Sequence, residues 1–198
     1  MSKEYLLEVK NLSCERNYKL IFDNVSFKLC SGGVVLINGN NGSGKSSILM
    51  CISGILEYKG LIKINKKYND KIGYVGHKNA LCEEDTIYEY LTFWKKIYNY
   101  KKDFNYVINF FDLRKYLEIP IKFLSFGQKK KLSFLRLQMI KSQIWLLDEP
   151  ISGLDKRTRS LIINLITKHI EKGGGVIATS HQIINLRKVK NIMRVKID

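Results

Sequence analysis

The sequence predicts an α/β fold: a mainly parallel core sheet flanked by helices, a small antiparallel β subdomain and a helical subdomain. Three stretches carry that expectation. Residues 33–38 (GVVLIN) read as a buried strand that passes through a glycine-rich turn into a helix starting at 46–52 (SSILMCI). Residues 144–147 (IWLL) form a continuous apolar run, as a strand buried on both faces of a parallel sheet requires, and lead into Asp148-Glu149. Residues 176–179 (VIAT) repeat that pattern after Gly173-Gly174-Gly175 breaks the preceding helix.

The turn after the first of these strands is the chemically informative one. Gly39-Asn40-Asn41-Gly42-Ser43-Gly44-Lys45-Ser46-Ser47 fits G-x-x-x-x-G-K-[ST], the P-loop pattern. Its glycines let the backbone turn tightly and approach an anion, and its amide N–H groups can cradle phosphate oxygens. Lys45 brings a point charge to the β- and γ-phosphates, and the Ser46 hydroxyl can ligate Mg²⁺. Phosphate then sits on a helix N-terminus, where free N–H groups and the helix dipole favour it. These nine residues are the expected nucleotide-binding set of a P-loop NTPase.

Composition sets limits on the rest. A chain of 198 residues suits one domain with a subdomain, and the helical part is expected over roughly residues 80–140. No apolar run approaches the ~20 residues of a membrane span. The charged start, Met1-Ser2-Lys3-Glu4-Tyr5, lacks the apolar stretch of a secretory signal, so a cytosolic location is expected. Cys14, Cys30, Cys51 and Cys82 are widely spaced without a C-x-x-C, which argues against a metal site or a disulfide framework. The net charge of +16 raises a nucleic-acid or membrane-surface reading. The lysines are scattered among Ile, Asn and Tyr, which fits compositional bias better, and no nucleic-acid partner is expected. A basic surface still suits a place beside anionic lipids.

In chain order, residues 6–9 read as an edge strand, 11–18 as a polar connection, and 20–29 as a second strand with period-two alternation. Ser31-Gly32-Gly33 turns into the P-loop strand, and Gly54 ends the P-loop helix. Residues 61–64 form a short strand, 65–70 a turn, and 72–76 another strand that ends at His77. Ile87, Tyr90, Leu91, Trp94 and Ile97 recur at helical spacing over 86–98, a stripe read as core, and 104–111 continue helical. After Pro120 a loop carries Leu124-Ser125-Phe126-Gly127-Gln128. Residues 129–139 then read as a helix with Leu132, Leu135, Arg136 and Met139 on one side. A helix over 158–170 and a last strand over 192–197 complete the chain.

Parallel strands present their C-terminal ends to a ligand crevice, so acids ending the 144–147 strand have a purpose beside a P-loop. Asp148 can hold the Mg²⁺ shell, and Glu149 can orient or polarise the attacking water. With these residues in place, the chain resembles the ATP-binding cassette ATPases over essentially its whole length. Leu124-Ser125-Phe126-Gly127-Gln128 is similar to their signature, usually L-S-G-G-Q. Residues 144–150 resemble the Walker B strand with its catalytic glutamate, Ser152-Gly153-Leu154-Asp155 the D-loop, and His181 the switch histidine.

The resemblance implies ATP and Mg²⁺ as ligands and two copies sandwiching two ATP molecules. It places Ser125 and Gly127 on the γ-phosphate in trans, His181 on it in cis, and Asp155 at the dimer seam. It also implies that residues 86–111 receive a coupling helix from an integral membrane subunit, at the cytoplasmic face of a bacterial inner membrane. Three positions depart from the pattern: Phe126 replaces the first signature glycine, His77 stands at the Q-loop glutamine, and Arg16 stands where an aromatic stacks on adenine. Tyr18 is close, and a guanidinium plane can also stack on a base. Residues 11–16 and 74–77, with no C-terminal regulatory extension, resemble the cytochrome c biogenesis branch of the family. The ATPase of another importer or exporter is the alternative. A DNA-repair-type cassette would carry a long coiled coil between P-loop and signature, and this chain has no heptads there. A catalytically dead module would not keep Lys45, Asp148, Glu149 and His181.

Overall fold

The computed structural model describes residues 4–68, 72–103, 105–140, 142–180, 189 and 191–197, all but the side chains of 106 and 107. Its elements run β1 (Tyr5–Arg16), β2 (Lys19–Cys30), β3 (Val34–Asn38), α1 (Lys45–Ile52), β4 (Lys59–Ile64), β5 (Ile72–Val75), α2 (Ile87–Ile97), α3 (Asn105–Phe110), α4 (Phe126–Met139), β6 (Ile144–Asp148), α5 (Lys156–Glu171), β7 (Gly175–Thr179) and β8 (Ile192–Lys196). Two compact units result: residues 1–77, 142–152 and 163–198, and residues 78–141 and 153–162. No described helix is long and apolar enough to cross a membrane. The four cysteines are free thiols.

The first unit holds both sheets. The larger one has strand order β5-β6-β7-β3-β8, with every pair parallel. All residues of β6 and β7 are buried, which is why both read as unbroken apolar runs. Helix α1 buries Ile48, Leu49, Cys51 and Ile52 in a core that also takes Leu7, Leu12 and Phe27 from the smaller sheet and Ile37, Leu146 and Ile177 from the larger. Each such aliphatic side chain contributes roughly 1.5–3 kcal/mol on burial.

The smaller sheet is antiparallel, in the order β2-β1-β4. Strand β1 is therefore central rather than an edge, and it continues through the stretch expected to be a connection as far as Arg16. Bulges hide it from the sequence. Register shifts fall between Val9 and Leu12, Leu12 and Cys14, and Cys14 and Glu15, so period-two alternation is lost beyond Val9. Asn11 takes the left-handed conformation (φ 47°), which asparagine tolerates, and its N–H donates to Ser26 Oγ at 2.8 Å.

The second unit is helical. Helix α2 begins at a capping box: Glu89 N–H donates to Thr86 Oγ1 (3.1 Å), and Thr86 N–H donates to Glu89 Oε2 (2.8 Å). Ile87, Tyr90 and Leu91 are buried, but Tyr88, Phe93 and Ile97 are exposed, Ile97 by 59%. The stripe expected to be core is thus core only along its first turns. Trp94 stacks on Tyr98 and carries the Arg136 guanidinium 5.0 Å above its ring. Helix α4 begins at Phe126, earlier than expected, because Ser125 caps it. Gln128 N–H donates to Ser125 Oγ (3.3 Å), and Ser125 N–H donates to Gln128 Oε1 (2.7 Å).

Candidate nucleotide site

In the first unit, β3 delivers the glycine-rich loop to the N-terminus of α1. Gly44 caps that helix in the left-handed conformation (φ 89°), and a Cβ there would meet Ile21 Cγ2 at 2.8 Å. Only glycine satisfies both the dihedral and the close approach of β2. Lys45 is buried, and its ammonium donates to the carbonyls of Gly39 (2.9 Å) and Asn40 (2.7 Å), so the side chain folds back along the loop it follows.

Two strands away, β6 ends at Asp148, which is 1% exposed. A buried carboxylate is tolerable only with partners, and two neighbouring elements, α1 and β7, contribute them. Ser46, in the first turn of α1, donates its hydroxyl to Asp148 Oδ1 at 3.0 Å. Thr179, the last residue of β7, donates to the same oxygen at 2.6 Å. The Glu149 N–H in turn donates to Thr179 Oγ1 at 3.0 Å. One hydrogen-bonded chain thus runs from the P-loop helix through Asp148 and Thr179 to the backbone of Glu149. Burial, with the Asp148 charge beside it, pushes the Tyr74 phenol up to about 12.

Glu149 is half-buried and adopts φ 48°, a conformation that costs a non-glycine residue on the order of 1–3 kcal/mol. An unbroken strand would send consecutive side chains to opposite faces; this left-handed residue ends that alternation at Glu149. The Ser46 hydroxyl and the Asp148 carboxylate supply adjacent hard oxygen donors, the chemistry Mg²⁺ prefers beside substrate phosphates, so these residues fit that ion.

The other candidate residues are distributed as follows. Asn40, Asn41 and Gly42 are exposed at the loop crest, while Gly39, Ser43 and Ser47 are partly covered. Arg16 is exposed and pairs with Lys19 across the β1–β2 turn, whose tip holds the fully exposed Tyr18. His77 is exposed just past β5. His181 lies outside the described residues.

The signature, Leu124 to Gln128, lies in the second unit as the capped start of α4. There a Cβ on Gly127 would lie 3.7 Å from Asp155 Oδ2, and the Phe126 ring lies 3.3 Å from where a Cβ on Gly153 would be. Asp155 accepts from the Thr158 N–H at the start of α5 (2.9 Å), a bond that holds its carboxyl below the usual range. Sequence reasoning missed Thr179. Its signal is a hydroxyl closing an otherwise apolar strand.

Comparison with known proteins shows the family and the fold. The family description "ABC transporter" matches residues 22–152. The chain is 37% identical over 185 residues, 89% of each chain, to the cytochrome c biogenesis ATP-binding export protein CcmA of Wolbachia pipientis wMel. It is 34% identical to the CcmA of Reclinomonas americana, over 95% of this chain and 90% of that one. Among solved structures, an ATP-binding subunit of an ABC transporter superposes with a TM-score of 0.84 at 25% identity, over 97% of this chain and 88% of that one.

Proposed function

The chain belongs to the ABC transporter family, and on that premise we propose a division of roles among its residues. It is the ATP-binding, energy-coupling subunit of an ABC transporter complex involved in c-type cytochrome biogenesis. It hydrolyses ATP in order to drive a membrane partner. The observation that carries the assignment of roles is the chain Ser46–Asp148–Thr179–Glu149, which ties the phosphate loop to the acid-ended strand.

ATP is bound by Gly39, Asn40, Asn41, Gly42, Ser43, Gly44, Lys45, Ser46 and Ser47, with Arg16 against the base. The loop amides and the Lys45 ammonium hold the phosphates. Ser46 and Asp148 hold Mg²⁺, which when bound neutralises phosphate charge. Glu149 orients the attacking water and accepts its proton at the carboxylate. His181 contacts the γ-phosphate, and His77 occupies the Q-loop position.

A second copy of the chain completes each site with Leu124, Ser125, Phe126, Gly127 and Gln128, and Asp155 lies at the seam. The position of Ser125 and Gly127 at the N-terminus of α4 supports this reading, because a helix N-terminus favours an anion. The membrane partner is a CcmB-like integral subunit at the cytoplasmic face of the bacterial inner membrane. The exposed Tyr88, Phe93 and Ile97 on α2 are suited to receive it.

Complementation tests the assignment. Expression in a bacterium deleted for its own CcmA is expected to restore haem-stained c-type cytochromes, and a Lys45→Ala copy is not. Well-expressed, membrane-associated protein that restores nothing counts against it.

A further inference from the structure

We infer that Thr179 is a positioning residue for hydrolysis: its single hydroxyl fixes the Asp148 carboxylate and the Glu149 backbone at once. The inference rests on the reading of Asp148 and Glu149 as the metal-holding and water-orienting carboxylates.

Topology puts Thr179 where it can do this. Strand β7 lies between β6 and β3, and Thr179 is the register partner of Asp148 on one side and of Ile37 on the other. Its neighbours Val176, Ile177 and Ala178 are buried and apolar, and Thr179 itself is fully buried. Valine has the same shape and would fill the position without placing a hydroxyl in the core. A hydroxyl there is unfavourable unless bonded, and this one is bonded twice.

The two bonds are not independent. A hydroxyl has one proton, and Thr179 donates it to Asp148 Oδ1 at 2.6 Å. The lone pairs then face the Glu149 N–H, 3.0 Å away. Glu149 needs such a hold because its left-handed backbone persists only where neighbours over-determine it. A second, longer bond, from the Ser152 N–H to the Glu149 carbonyl at 3.4 Å, closes the turn on the other side. Losing the hydroxyl therefore removes one hold from each carboxylate-bearing residue at once, leaving Asp148 to Ser46 and Glu149 to the longer Ser152 bond, while the P-loop amides and Lys45 stay as they are.

Two substitutions separate the hydroxyl from the shape. Thr179→Val keeps the shape and removes the hydroxyl; Thr179→Ser keeps the hydroxyl and removes the methyl. The purified full chain is assayed for kcat and KM with MgATP, and for equilibrium binding of a fluorescent ATP analogue in EDTA, with Glu149→Gln in parallel. Thr179→Val is expected to lower kcat about 10- to 100-fold, the scale of a misplaced reacting group, with metal-free nucleotide affinity held within about threefold. Thr179→Ser is expected to keep kcat within about threefold of the parent. Parental kcat in Thr179→Val, or a change confined to KM, overturns the inference. So does a folded Thr179→Ser variant that loses as much rate as Thr179→Val, since that marks a packing role. If Thr179→Val does not fold by circular dichroism, the serine variant decides alone: retained kcat supports the inference, and a loss of about tenfold or more overturns it. Parental hydrolysis by Glu149→Gln would instead remove the underlying reading of the carboxylates.

Discussion

Ser46 Oγ donates to Asp148 Oδ1 across 3.0 Å, joining the first turn of α1 to the last residue of β6. If these oxygens hold Mg²⁺, Ser46→Ala removes one ligand and leaves Asp148 still bonded to Thr179. The Mg²⁺ concentration for half-maximal hydrolysis is then expected to rise by about 10- to 100-fold. Fold stability should fall by only about 1 kcal/mol, the worth of one hydrogen bond. Titrating Mg²⁺ at saturating ATP checks this. An unchanged midpoint shows that Ser46 is not a ligand.

Lys45 presents a different vulnerability. Its ammonium is buried and satisfied by the Gly39 and Asn40 carbonyls, so it closes the loop, and in the proposed function it also supplies the charge for phosphate. Lys45→Ala removes both, and no other residue of the loop is cationic. Nucleotide affinity is expected to drop by about 100-fold, as the loss of strong charge-assisted hydrogen bonds implies. Equilibrium binding of a fluorescent ATP analogue measures it, and undiminished affinity would remove the P-loop assignment.

His169 on α5 gives a prediction about stability rather than catalysis. Its ring stacks on Trp145 of β6 with centroids 3.8 Å apart, and burial pushes its pKa down to about 4 from the usual 6.5. As pH falls below 6.5, the unfolded chain takes up a proton that the folded chain refuses until near 4. The stability present above 6.5 is therefore lost progressively through that window, by about 3 kcal/mol in all. A melting temperature lower by roughly 5–10 °C near the bottom of the window is expected. Thermal melts of the parent and His169→Gln from neutral to mildly acidic pH test it. The variant should start lower, having lost the stack, and fall less steeply; parallel curves would rule the histidine out.

Features set by local chemistry were legible in the sequence, and features set by pairing were not. Strands β6 and β7 announce themselves within a few residues because burial on both faces dictates their composition, and the P-loop and the acids that close β6 do so because their residue types lie together in one short stretch. Strand β1 did not, since its bulges at Asn11 and beyond destroy the alternation that identifies a strand. The early start of α4 was present as Ser125-x-x-Gln128, a capping box overlooked because Phe126-Gly127 reads as loop. Thr179 shows the deeper limit. Its importance depends on β7 lying beside β6 in a register that pairs it with Asp148, and no local pattern in the sequence encodes that pairing.

Glu149 provides the sharpest test of the mechanism. Its backbone is held by Thr179 and by the turn to Ser152, and neither hold involves its side chain. Glu149→Gln therefore keeps the local geometry and size but removes the negative charge and weakens the proton acceptor. In the proposed function, hydrolysis needs water oriented and its proton accepted, while binding relies on the loop amides, Lys45 and Mg²⁺. The variant is expected to bind MgATP about as well as the parent and to hydrolyse it slower by about 10²- to 10⁴-fold, the usual contribution of a general base. If a second copy completes each site through Ser125 and Gly127, ATP that persists should hold the two copies together. Size-exclusion chromatography should then show the variant, but not Lys45→Ala, shifting to a dimer on addition of MgATP. Slow hydrolysis without that shift would keep Glu149 as the base and remove the two-copy site. Hydrolysis at the parent rate would assign proton acceptance to another group near Asp148.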